Sequence, residues 1–189
     1  ERPFAVGEYV VPARRFIASQ IHILEKIIRD NYPTETNATT GGHFHISFKD
    51  MRFYAILMEI EFFNLMKMNL RSWAKKKLNS TAQKEFIYRL EGKSNPENYC
   101  YSQDMFIPDA QVDGSTGERY THLNYAYQKF HTLEVRVLPQ FKSSNIYLSA
   151  VDNILNTMRK YIQSKFSITH YEKRSTIKEF DITGKISTE

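Results

Sequence analysis

Two short stretches of this chain place reactive side chains at a defined spacing. His43 and His45 flank one residue in Gly41-Gly42-His43-Phe44-His45-Ile46-Ser47-Phe48. Glu134 and Arg136 flank one residue in His131-Thr132-Leu133-Glu134-Val135-Arg136-Val137-Leu138-Pro139. Both stretches alternate polar and apolar residues, the period of a β-strand. On a strand, residues i and i+2 share a face. His43, His45 and Ser47 therefore oppose Phe44, Ile46 and Phe48, and Thr132, Glu134 and Arg136 oppose Leu133, Val135 and Val137. Two imidazoles on one face can converge on a metal or a phosphate. A carboxylate adds a ligand for a divalent cation, and a guanidinium suits phosphate or carboxylate. Together they point to nucleotide-phosphate chemistry with Mg²⁺ or Mn²⁺ more than to a zinc hydrolase. Taken singly, the histidines read as solvent-facing and Glu134 with Arg136 as a surface ion pair. It is the matched design of the two strands that turns the reading toward a shared site.

The elements that must position these strands follow from the rest of the pattern. Residues 12–31 carry apolar residues at helical spacing, with Pro12 suited to a helix start and Pro33 beyond its end. Residues 32–42 are a loop by composition, and Gly41-Gly42 permits a close backbone approach. Residues 51–79 form the longest helical pattern, with apolar residues on more than one face. Glu59 and Glu61 fall inside it, where two residues apart on a helix means about 200° of divergence, so they do not form a paired-carboxylate site. Lys75, Lys76 and Lys77 near its end suit the helix macrodipole better than a nucleic acid. A shorter helix is expected over 80–92, and a long loop over 93–118, either a lid or an insertion. Residues 119–128 are extended and aromatic-rich, placed to form a hairpin with the Glu134 strand. A last helix is expected over 145–166.

The 189 residues suit one domain. Hydrophobic residues make up 41% and charged residues 25%, a globular composition in which many of the 13 Phe and 12 Tyr serve packing. A net charge of +5 suits an anionic ligand or a nucleic acid, but an excess this small proves neither, and nucleic acid is not expected as a partner. Cys100 is the single cysteine, which rules out an internal disulfide and fits a reducing, cytoplasmic compartment. No apolar run suits a membrane span, and no leader-like segment is seen. Walker A, H-E-x-x-H, G-x-S-x-G and CxxC patterns are all lacking.

The order of segments resembles the amidoligase family: Gly41-Gly42-His43-Phe44-His45-Ile46-Ser47, a long helix, Arg119-Tyr120-Thr121-His122-Leu123-Asn124, His131-Thr132-Leu133-Glu134-Val135-Arg136-Val137-Leu138, then another helix. The resemblance spans roughly residues 12–163 and rests on order and spacing, since H-x-H and E-x-R are each common. It implies an α+β fold, an antiparallel sheet packed with helices like the catalytic domain of glutamine synthetase. Residues 1–166 would form that domain, with 167–189 a basic C-terminal extension. It implies ATP-dependent amide formation: a carboxylate takes the γ-phosphoryl of ATP, an amine attacks the acyl phosphate, and phosphate leaves. The substrates would be a small-molecule or peptide carboxylate and an amine, in a bacterial or phage-infected host cytoplasm. His43 and Glu134 would hold Mg²⁺ or Mn²⁺, Arg136 would stabilise the phosphoryl group, and His45 would lie beside metal or substrate. Arg119 would contact phosphate or the substrate carboxylate.

One departure from the family matters. It carries an E-x-E strand upstream of the histidine strand, and none precedes residue 43 here. Either that strand lies before Glu1 or the metal site is incomplete. The second case describes a non-catalytic member, or one completed by a homo-oligomer or partner chain. Two alternatives to the ligase therefore stand. One is an interaction or structural module on the same fold, such as a phage component. The other is a phosphodiesterase, since His45-Ile46-Ser47 fits H-x-[S/T]. That chemistry needs a second such motif, and His131-Thr132 has the wrong spacing.

Overall fold

A computed structural model describes residues 18–33, 41–91, 121–126 and 131–166. Among them are helices α1 (Ala18–Asp30), α2 (Met51–Leu57), α3 (Ile60–Lys77), α4 (Ser80–Leu90) and α5 (Ser144–Lys165). The strands are β1 (Gly41–Ile46), β2 (Leu123–Ala126) and β3 (Thr132–Pro139). They form one antiparallel sheet in the order β1-β3-β2, so the class is α+β, as the pattern predicts.

The strand carrying Glu134 is the centre of the sheet. Leu133, Val135 and Val137 on one face are fully buried, together with Leu123 of β2 and Ile46 of β1. Each such side chain stabilises the fold by about 2 kcal/mol on leaving water. These residues join the helices in a single core with Phe53, Leu57, Phe62, Met66, Leu70, Phe86 and Ile154. Along it α3 and α5 run antiparallel, tied by Trp73 Nε1–H to Ser149 Oγ (3.0 Å) and by Asn69 Nδ2–H to Thr157 Oγ1 (3.0 Å).

The single helix expected over 51–79 is two helices. Met58 (ψ 0°) and the extended Glu59 (ψ 142°) break it. The reason lies in the phase of the apolar residues. At about 100° per residue, Phe53, Tyr54 and Leu57 lie on the opposite side of a straight helix from Phe62, Phe63, Met66, Leu70 and Trp73. The break lets both sets reach one core, and all eight are buried. Glu59 stands at the break instead of inside a helix. Its carboxylate accepts from Tyr161 Oη–H and Lys165 Nζ–H, both at 2.6 Å, which holds α2–α3 to the end of α5. These partners keep the Glu59 carboxyl below its usual range, Lys165 being the largest cause. Glu61 lies in the first turn of α3, so the pair is not a site.

Other boundaries shift by a few residues. β1 begins at Gly41 and ends at Ile46, two residues earlier at each end than expected. The start of the first expected helix (residues 12–17), the 93–118 loop, Arg119 and the 167–189 extension lie outside the described residues. That extension carries as many Asp and Glu as Lys and Arg, so it is not basic as a whole. Among the described residues, no helix is long and apolar enough to cross a membrane.

Candidate metal centre

The face of the sheet opposite the core is built in a lateral row. Antiparallel register puts His45 of β1 and Asn124 of β2 on either side of Glu134. Directly paired residues share a face, so imidazole, carboxylate and amide line up across three strands. Glu134 is buried, at 5% exposure, and a buried carboxylate is costly unless it is bonded. Its Oε2 accepts from Asn124 Nδ2–H at 2.8 Å, and its Oε1 accepts from Arg136 Nη1–H at 2.5 Å. His45 Nε2 lies 3.8 Å and His43 Nε2 4.0 Å from that same Oε1. The two imidazoles stand edge-to-face with centroids 5.8 Å apart.

His43, His45 and Glu134 each offer one ligand atom, and these atoms all lie within 4.8 Å of one another. Ligands about 2.1 Å from one ion in tetrahedral geometry stand roughly 3.4 Å apart, so the cluster is slightly open. The donor set fits a divalent cation, and two imidazoles beside one carboxylate favour Mn²⁺ over the harder Mg²⁺. His45 Nδ1 shares a hydrogen bond of 2.9 Å with Thr132 Oγ1. In the tautomer with Nδ1–H donating, the Nε2 lone pair faces Glu134, which is the form a metal ligand needs.

Four of the five residues singled out from the sequence thus come together: His43, His45, Glu134 and Arg136. Arg119 lies outside the described residues. His45 stands in the same cluster as His43 and Glu134. Asn124 and Thr132 are site residues that the sequence reading did not single out for a role. Asn124 pairs in register with Glu134, and Thr132 lies two residues along β3 from Glu134 on the same face. His122 is fully buried beside Phe63, and its Nε2–H donates to Arg89 O at 3.1 Å. Burial pushes its pKa down to about 3, so it is a neutral core residue.

No family model, curated protein or solved structure matches the chain.

Proposed function

We propose that the chain is an ATP-dependent carboxylate–amine ligase of the amidoligase kind, on a glutamine-synthetase-like sheet. Its divalent cation would be held by His43, His45 and Glu134. The observation that carries this reading is the convergence of those three side chains on one Glu134 oxygen that also carries Arg136. A metal site with a guanidinium on the same carboxylate suits a phosphorylated ligand more than a bare hydrolytic water. The order of segments supports the choice among phosphate chemistries.

The cation would supply charge neutralisation at phosphoryl oxygens. The chain's own residues do the rest. Glu134 is held from behind by Asn124, so its carboxylate keeps its orientation. His45 is oriented by Thr132. Arg136, bonded to Glu134 Oε1, would place its guanidinium beside a bound phosphoryl group, where charge gathers in phosphoryl transfer. Arg119 is proposed as a further phosphate or carboxylate contact.

The test is thermal melting with millimolar ATP and Mn²⁺. The wild type should gain several degrees, and Arg136→Met should gain less than half as much with ATP while keeping its response to Mn²⁺ alone. Absence of any shift with ATP and Mn²⁺ would contradict the ligase reading and favour an interaction module on this fold. Hydrolysis of cyclic nucleotides without ATP would favour the phosphodiesterase.

A further inference from the structure

β3 leaves regular pairing at one place. Against β1 the register runs Gly42↔Leu138 and then Phe44↔Val135, so Arg136 and Val137 together stand opposite His43. Against β2 there is no slip: Leu123 pairs with Val135, and Arg136 N–H donates to His122 O at 2.8 Å. An extra residue on one strand bends it, frees ladder carbonyls and re-aims a side chain. Here it falls on the arginine and the histidine of the candidate site.

The carbonyls at this bulge are met by one side chain. Arg89, on α4, is buried at 9% exposure. Its Nε–H donates to Val137 O at 3.1 Å and its Nη2–H to Arg136 O at 3.2 Å. Its own carbonyl accepts from His122. The Arg136 peptide is thus held at its N–H by His122 and at its carbonyl by Arg89. A guanidinium can serve two carbonyls at once because its donors form a rigid fork, which an ammonium cannot reproduce. Gly41 lies against the fork: a Cβ there would stand 2.9 Å from Arg89 Nη2, so Nη2 would have to shift.

We infer that Arg89 is a positioning residue, clamping the β3 bulge so that His43 and Arg136 stand correctly around Glu134. Its consequence for ligands rests on the reading of the metal site given above. Arg89 itself serves the backbone, so it acts through β3.

The test uses Arg89→Met and Gly41→Ala in the full chain, with amide hydrogen exchange by NMR and Mn²⁺ titration side by side. Gly41→Ala keeps Arg89 and crowds its Nη2, so a failure of Arg89→Met to fold leaves the question open to measurement. Exchange at the Arg136 amide should rise by at least ~10-fold in either variant, while the Ile154 and Met158 amides of α5 keep wild-type rates. Mn²⁺ affinity should fall by about 10-fold, as for other residues that orient ligands. Unchanged exchange at Arg136, or an equal rise throughout α5, would overturn the inference. Wild-type Mn²⁺ affinity in a variant with a loosened bulge would overturn it too. A wild type that binds no Mn²⁺ contradicts the metal reading instead, and the exchange rates still decide whether Arg89 clamps the bulge.

Discussion

Leu133, Val135 and Val137 on one face of β3 are fully buried in the apolar core, while Glu134 on the other face is nearly as buried among Asn124, Arg136 and two histidines. Exposure alone does not separate the two faces. Neighbours do. The core face gains by removing hydrocarbon from water, and the polar face holds a carboxylate whose oxygens are already committed to donors. The histidines repeat the contrast. His122, buried and neutral, donates one hydrogen bond to a main-chain carbonyl. His43 and His45 are partly exposed and face a carboxylate across the strand pair. One kind of residue thus serves packing in one place and offers ligands in the other, and the partner strand decides which.

The contrast can be broken from either side. Leu133→Ala should cost about 3 kcal/mol in urea unfolding, since it leaves a cavity at the sheet centre, and the folded fraction should bind Mn²⁺ as the wild type does. A parallel loss of Mn²⁺ affinity would show that the faces are not independent. His122 gives the next effect. Its pKa is lowered from 6.5 to about 3, so the unfolded chain binds the extra proton between those values. Its contribution to stability is therefore full above pH 6.5 and is lost as pH falls through that window. Between pH 7 and pH 4.5 the loss should be about 3 kcal/mol, and His122→Phe should flatten that part of the profile. Thr132→Val removes the partner of His45 without touching a ligand. Mn²⁺ affinity should weaken by roughly 10-fold with little change in melting temperature. The smallest effect belongs to a residue on neither face. Asn79 Oδ1 caps α4 by accepting from Ala82 N–H at 2.9 Å, and Asn79→Ala should lower stability by about 1 kcal/mol while leaving Mn²⁺ binding unchanged.

Much of this contrast was legible in the sequence. Strict alternation in 132–137 and 43–46 gives strand, face and candidate ligands together, because a two-residue period allows one reading of which side chains point the same way. The α+β class follows from those strands and the helical runs. Two features were harder. The α2–α3 break has no Pro or Gly to mark it, and its only trace is the phase reversal between Leu57 and Phe62. The β3 bulge has no local signature at all. It depends on Arg89, 47 residues before Arg136 in the chain, whose Nη2 lies against Gly41. Asn124 became visible only through register, which is set by long-range pairing and not by composition, whereas alternation alone puts Thr132 on the polar face and only the fold shows its bond to His45.

On the proposed reading, His43, His45 and Glu134 form one divalent-cation site. Titration of Mn²⁺ into wild type and Glu134→Gln by calorimetry tests it most directly, since glutamine keeps the volume and removes the charged oxygen shared by both imidazoles. One equivalent should bind the wild type, and Glu134→Gln should bind at least ~100-fold more weakly with an unchanged fold. Equal binding by the two proteins, or no binding by the wild type, would contradict the claim.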